Sequence, residues 1–166
     1  MDIPNNGFAV HWIRQALHLN DEDADDKIVA ERLEELTNLQ SLSLGGWWST
    51  QISDDAMVYL KKFTKLETLN LGGTWVTDAG LVQLKGLTNL VALDLSYTQI
   101  TDASLENMKG LENLQRLSLD GTQVTDGGLV HLKRFPKLEV LQLYDTQVTD
   151  AGLEHLEGLT NLTELH

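Results

Sequence analysis

Aspartate recurs at one position of this chain every 24 residues, and carboxylates at regular spacing are potential metal ligands. Each follows a threonine, giving the pairs Thr77-Asp78, Thr101-Asp102, Thr125-Asp126 and Thr149-Asp150. Stacked side chains there would lie within about 5 Å of one another, the spacing of neighbouring strands. No second ligand accompanies each aspartate, which disfavours a ladder of metal sites. The favoured alternative is that each threonine caps a helix and each aspartate lies at the positive end of its dipole.

An acidic run near the N-terminus has part of the spacing of a calcium-binding loop. Asp21, Asp23 and Asp25 alternate as the first ligands of such a loop do. Asp26 stands where the sharp turn of that loop requires glycine, and Arg32 stands where a bidentate glutamate is required. We therefore interpret the run as a solvated loop that leads into a helix.

Two histidines are the other residues that could bind a metal ion. His131 and His155 occupy the same position of successive 24-residue units, so they would stack side by side. A zinc site needs three or four ligands, and no third is evident, so we predict a surface column. The chain has no cysteine, and its paired glycines fall at turns of the repeat. These observations favour a protein that is not an enzyme and uses no cofactor and no metal.

The elements that position these residues follow from the same period. Units that begin at Leu66, Leu90, Leu114 and Leu138 share the pattern L-x-x-L-x-L-x-x-T-x-[VI]-T-D. The alternating leucines of the first half predict a short strand with one buried face. In the second half apolar residues recur every three residues, which predicts a single α or 3-10 segment. Self-similarity at this period is typical of a solenoid, whose units must stack to bury their apolar faces.

The motif L-x-x-L-x-L followed by T-x-V-T-D-x-G-L-x-x-L resembles the leucine-rich repeat superfamily. The V-T-D-x-G-L portion is similar to the cysteine-containing subtype of ribonuclease-inhibitor-like and F-box adaptor arrays, with threonine in place of the usual residue. Bacterial tandem-repeat proteins with this variant look closest. The resemblance implies an α/β fold, a right-handed solenoid with a parallel sheet on its concave face and short α or 3-10 helices on its convex face. It implies binding of other macromolecules and no catalytic residues.

Two regions of the chain differ in how well they keep the period. Residues 1–38 are predicted to form an N-terminal cap with a degenerate first repeat. The later repeats are predicted at 39–65, 66–89, 90–113, 114–137, 138–161 and, in part, 162–166. The chain stops inside the last strand, which favours a fragment of a longer array. The alternative is a complete chain whose open C-terminal edge self-associates, and the sequence leaves the oligomeric state open.

Composition and charge limit the classes of partner that the chain could bind and the cellular compartment in which we expect it. The chain has 166 residues and a formal net charge of −13. This charge disfavours nucleic acid or an anionic membrane as a partner. A basic protein remains a possible partner. No stretch approaches the roughly 20 apolar residues of a bilayer span. The N-terminus lacks the features of a secretory signal, so we expect a cytoplasmic protein.

The residues that vary between repeats can encode a partner, because the repeated residues only build the scaffold. Early strands carry small outward residues, whereas later ones carry larger polar and aromatic residues. This predicted protein-binding patch consists of Asp94, Tyr97, Arg116, Asp120, Gln142, Tyr144 and Asp145. Tyrosine and arginine are frequent anchors of interfaces. The alternative is that Arg116 merely neutralises Asp94 and Asp120.

Three tryptophans form a second candidate site. Trp47 and Trp48 lie in a three-residue insertion of the repeat at 39–65, and Trp75 lies at the turn of the next repeat. Contiguous exposed aromatic residues usually mark an interaction site. The alternative, slightly favoured, is that the indoles of the insertion seal the N-terminal edge of the core.

Two functions therefore remain. The first is a non-catalytic protein-protein interaction module that binds through the concave strand face and its rim. The second is a structural spacer array, or a fragment of a larger adaptor or signalling protein with no specific ligand on this segment.

Overall fold

The structure of the chain is a computed structural model that describes Asp26, residues 38–45 and residues 51–166. The greater part of the predicted cap at 1–38, most of the acidic run, and Trp47 with Trp48 lie outside these residues.

Six short parallel strands form one open sheet in the order of the chain. They are β1 (Ser41–Ser43), β2 (Thr68–Asn70), β3 (Ala92–Asp94), β4 (Arg116–Ser118), β5 (Val140–Gln142) and β6 (Glu164–Leu165). Leu69 lies opposite Leu93, and Leu93 lies opposite Leu117. Each strand thus pairs with the equivalent residues of the next coil, as the 24-residue period requires. The predicted α/β solenoid with a parallel sheet is confirmed.

The second half of each coil is helical, and both predicted helix types occur. The elements are α1 (Asp54–Leu60), α2 (Asp78–Leu81), η1 (Val82–Gly86), α3 (Asp102–Asn107), α4 (Asp126–Leu129), η2 (Val130–Arg134), α5 (Asp150–Leu153) and η3 (Glu154–Leu156), where η denotes a 3-10 helix. In three coils a single α turn continues directly as a 3-10 turn, which suits the three-residue spacing of the leucines. No helix in the described part of the chain is long and apolar enough to cross a membrane.

One continuous apolar core runs between the sheet and the helices. Strand leucines such as Leu93 and Leu95 meet helix leucines such as Leu81 and Leu84, and all four are buried. At the end of each of the four strands β2 to β5 a threonine hydroxyl donates to the carbonyl three residues earlier, as in Thr98 to Leu95 at 2.6 Å. The bond satisfies a carbonyl where regular strand pairing ends.

The predicted threonine caps are confirmed. Thr77 precedes α2, and its Oγ1 accepts a hydrogen bond from the N–H of Ala79 at 3.2 Å. The equivalent threonine or serine caps each of the other α segments in the same way.

The aspartates have a second role, which is to fasten each coil to the next. The carboxylate of Asp102 accepts from both the N–H and the Oγ1–H of Thr125, at 2.8 and 2.7 Å. The same pair of bonds joins Asp54 to Thr77, Asp78 to Thr101 and Asp126 to Thr149. We call these four aspartate–threonine contacts the junction ladder.

The junction ladder also explains a recurring glycine. A methyl group at Gly128 would collide with the carboxylate of Asp102, and Gly80 and Gly152 face the aspartate of the preceding coil in the same way. In α3 the equivalent residue is Ser104, whose hydroxyl donates to Asp78. The position therefore accepts no side chain, or one that can donate to the carboxylate.

Hydrogen bonding lowers the pKa of two ladder carboxylates, Asp78 and Asp126. Burial alone would raise the pKa of Asp78, but bonds from Ser104 and Thr101 outweigh it, so the pKa lies below its ordinary value. The pKa of Asp126 is lowered by the N–H and hydroxyl of Thr149 and, to a smaller extent, by nearby His155. Ionised carboxylates are acceptors only, which matches the donors that surround them.

Candidate functional site

The predicted protein-binding patch divides between the outward face of the sheet and the turns that follow the strands. Asp94, Arg116 and Gln142 lie on β3, β4 and β5. Arg116 is exposed and lies between Ala92 and Val140 of the neighbouring strands. It is therefore a single cation between two apolar side chains, in a row that ends at Glu164 beside Val140.

The other four residues form the part of the site that we call the rim, namely Tyr97, Asp120, Tyr144 and Asp145. They lie on three consecutive coils. The Tyr97 N–H donates to the Asp120 carbonyl at 2.7 Å, and the Gly121 N–H donates to the Tyr144 carbonyl at 2.8 Å. The Asp120 carboxylate accepts from the N–H of Tyr144 at 2.8 Å. These bonds continue the coil-to-coil pairing beyond the strands and fix the rim backbone.

Tyr97 has an unusual backbone conformation. Its φ angle is +55°, in the left-handed region that equivalent Gly73 and Gly121 occupy with φ of +73° and +64°. Asp145 shares the position and has φ of +55°. A bulky residue rarely adopts this region, and non-glycine residues held there cost on the order of 1–3 kcal/mol. Glycine would satisfy the turn without strain, so Tyr97 is retained at an energetic cost.

The Tyr97 ring rests on the glycine of the next coil. A methyl group at Gly121 would collide with Cδ1 and Cε1 of that ring. Gly121 is therefore required both for its positive φ and for the space above its Cα. Sequence reasoning missed this packing of Tyr97 over Gly121. The signal for it was that Gly73, Tyr97 and Gly121 occupy the same position of the repeat.

Among the described residues, Arg116 makes no direct ion pair of the kind that the alternative interpretation requires. The ion pairs among the described residues join Lys109 to Glu106 and His166 to Glu164. The Asp94 carboxylate instead accepts from the N–H of Ser96 at 3.0 Å. The guanidinium thus makes no ion pair with Asp94 or Asp120.

Three large aromatic side chains are prominently exposed near the ends of the strands. Trp75, Tyr97 and Tyr144 have 55%, 53% and 70% of their surface accessible to solvent. The Trp75 N–H donates to the Ile52 carbonyl of the preceding coil at 2.8 Å. Since Trp47 and Trp48 lie outside the described residues, their clustering with Trp75 stays a prediction.

Among the described residues, no group of three histidine, cysteine or carboxylate side chains is arranged to hold a metal ion. His155 contributes instead to the electrostatic environment of Asp126.

Comparisons with known proteins agree with this geometry. A family model described as leucine rich repeat matches residues 64–124. The structure of an internalin C2 from Listeria monocytogenes is similar, with 26% identity and a TM-score of 0.63, over 84% of this chain and 54% of that one. A second internalin of that organism, inlF, shows 27% identity and a TM-score of 0.60, over 78% of this chain and 42% of that one. This chain thus spans about half the length of these structures. No curated protein matches its sequence.

The fold is that of a leucine-rich-repeat solenoid, and the family model supports this for residues 64–124. Its sheet, its short helices and its core leucines are those of a leucine-rich-repeat solenoid. Proteins with this fold are in general protein-interaction modules, which directs attention to the exposed residues of the sheet face and the rim.

Proposed function

We propose that the chain is a non-catalytic module that binds a partner protein through the concave strand face and the rim. One observation carries the proposal: Tyr97 is kept in a conformation for which glycine is better suited, with Gly121 left free of a side chain beneath its ring. Strained residues persist where function requires them. The exposed Tyr144, on the coil that follows Gly121, extends the same surface.

The partner of the rim is expected to be basic. The segments 42–60, 69–84, 93–108, 117–132 and 141–156 contain 11 Asp or Glu residues and no Lys or Arg. The strand ends, the rim and the helices therefore form a continuous acidic side of the molecule. Lysine or arginine side chains of a partner could lie on the exposed tyrosine rings near Asp120 and Asp145.

The remaining parts of the proposal rest on the sequence. We assign Asp94, Arg116, Gln142 and Trp75 to the same binding surface, and Trp47 and Trp48 to its N-terminal border. We also propose a cytoplasmic protein of bacterial type, with a cap at 1–38 and repeats at 39–166. These repeats are proposed to be a threonine variant of the cysteine-containing subtype.

Affinity capture from the native cell extract tests the proposal with a matched pair of tyrosine variants. Tyr144→Ala removes a rim side chain, whereas Tyr59→Ala removes one on the helical side that is 37% exposed. We expect the first variant to lose the captured protein and the second to retain it, with both folded by circular dichroism. If Tyr144→Ala and a charge reversal at Arg116 and Asp120 leave the captured proteins unchanged, the binding surface is wrong. If the wild-type chain captures nothing specific, the spacer alternative replaces the proposal.

A further inference from the structure

Apart from Arg116, the positive charges of residues 38–166 lie along one edge of the solenoid. These residues contain nine Lys or Arg, and eight of them lie at the ends of the helical segments or in the loops that lead from there to the next strand. They are Lys61, Lys62, Lys65, Lys85, Lys109, Lys133, Arg134 and Lys137. We call this set the basic edge. It lies at the start of the strands, whereas the rim lies at their end.

The basic edge is accessible and ordered by contacts between coils. All eight side chains are exposed. Asn113 donates to the Thr88 carbonyl at 2.8 Å, and Lys137 donates to Asn113 Oδ1 at 2.7 Å, so adjacent loops are joined. Within the described residues the one ion pair of the edge is Lys109 with Glu106, at 3.6 Å. The other cations form no ion pair among the described residues, although Lys65 donates to Asn38 Oδ1 and Arg134 donates to the Glu106 carbonyl.

A shallow cleft of about 370 Å³ opens on this edge. Its wall includes Lys137 and Asn113, and also Glu112. An acidic side chain that entered it would lie near both the Lys137 ammonium group and the Glu112 carboxylate. The cleft therefore contributes shape, and attraction for an anion comes from the cations along the edge.

We infer that the basic edge is a second interaction surface, which binds an acidic polypeptide segment of a separate protein. The strip of cations spans only five residues of each coil and is followed by the acidic side of the molecule. A membrane or nucleic-acid duplex extends well beyond such a strip and would face those carboxylates. A narrow acidic chain laid along the edge meets one lysine in each of four successive coils, at Lys61, Lys85, Lys109 and Lys133, and the column ends at Glu157 in the fifth.

The side chains of the edge also argue against single-stranded nucleic acid. Recognition of single strands combines cations with exposed aromatic rings on which the bases stack. Phe63 and Phe135, the aromatic residues of these loops, are buried in the core. The exposed aromatic side chains of the described chain lie elsewhere, on the helices and near the rim. The basic edge thus provides positive charge but no exposed aromatic ring on which a base could stack, which disfavours single-stranded nucleic acid as its ligand.

Two variants of equal net charge test this inference. The edge variant carries Lys85→Gln, Lys109→Gln and Lys133→Gln, and the control carries Gln99→Glu, Gln123→Glu and Gln147→Glu, one exposed residue per coil near the rim. The probe is a fluorescein-labelled peptide of alternating glutamate and serine, titrated at about 0.15 M salt. We expect the wild-type chain to bind it and the edge variant to bind about tenfold more weakly, the sum of three exposed charge pairs. The control should bind within twofold of the wild type.

Several results would overturn the inference. Absence of binding by the wild type, or equal weakening in both variants, would show that the edge is no specific surface. Tighter binding of an oligothymidylate or of anionic vesicles would assign the edge to nucleic acid or membrane. Concentration-dependent oligomers of the wild type in sedimentation, abolished in the edge variant, would show that a second copy covers it.

Discussion

Replacing Asp102 by alanine measures how strongly the junction ladder holds adjacent coils together. The carboxylate accepts two hydrogen bonds from Thr125 of the next coil, at 2.8 and 2.7 Å. A hydrogen bond to a charged group contributes about 1.5–3 kcal/mol, and the two bonds share one acceptor and are not fully additive. We therefore expect Asp102→Ala to lower the free energy of unfolding by about 3 kcal/mol.

Asp150 provides a matched control on the same chain. It begins α5 behind the capping Thr149, as Asp102 begins α3 behind Thr101. Among the described residues its carboxylate accepts no hydrogen bond from a later coil. Its remaining contribution is the interaction with the helix dipole, about 0.3–1 kcal/mol. The difference between the two alanine variants isolates the contact between coils.

Urea and thermal unfolding followed by circular dichroism at neutral pH measure both effects. For a chain of this size each kcal/mol corresponds to about 2–4 °C, so Tm should fall by about 6–12 °C for Asp102→Ala and at most about 4 °C for Asp150→Ala. Equal losses in the two variants would refute the reasoning, because the aspartates would then act only on their own helices.

Three further predictions concern the packing of Tyr97 over Gly121, the ladder at low pH and the core. Gly121→Ala should destabilise the protein by about 2 kcal/mol or more through its left-handed φ and the collision with the Tyr97 ring, and urea titration should show a smaller loss in a Tyr97→Gly background. Because the pKa of Asp78 is lower in the folded than in the unfolded chain, its stabilisation is complete above about pH 4 and disappears below it. Asp78→Asn should therefore flatten the fall in stability between neutral and acidic pH, measured by urea midpoints across that range. Leu93→Ala, at a site 2% exposed, should cost about 2–5 kcal/mol in the same urea assay because it leaves a cavity between coils.

The strands, the helices and the threonine caps were predictable because each depends on residues close together in the chain. The alternation around Leu69 and Leu71 indicates a strand with one buried face, and Thr77 before Asp78 indicates a helix start. The repeat then assigns the register, since a parallel stack of equivalent coils places Leu69 beside Leu93.

The contacts between coils were not predictable from residue types alone. Whether Asp102 meets Thr125 depends on the small offset between two stacked coils, which the period does not specify. The conformation of Tyr97 could not be predicted from its residue type either. Tyrosine itself disfavours a positive φ, and only the glycines at 73 and 121 indicate that the turn demands it. The separation of cations on the basic edge from carboxylates on the rest of the surface follows from the sequence. The net charge of −13 does not reveal it, because a net charge carries no positions.

Because the contacts of the junction ladder are the same at each junction, they determine which changes in the length of the protein preserve its structure. Each aspartate meets the threonine of the following coil through the same two bonds, whichever coil that is. Deleting residues 90–113 would leave Asp78 followed by Thr125, a pair of the same kind at the same separation along the chain. We therefore expect duplication or loss of whole 24-codon units to be tolerated at these four junctions, whereas insertion of a few codons within a unit must be absorbed in a loop. Recombination within the repeats can in this way extend or shorten the binding surface while the scaffold stays intact.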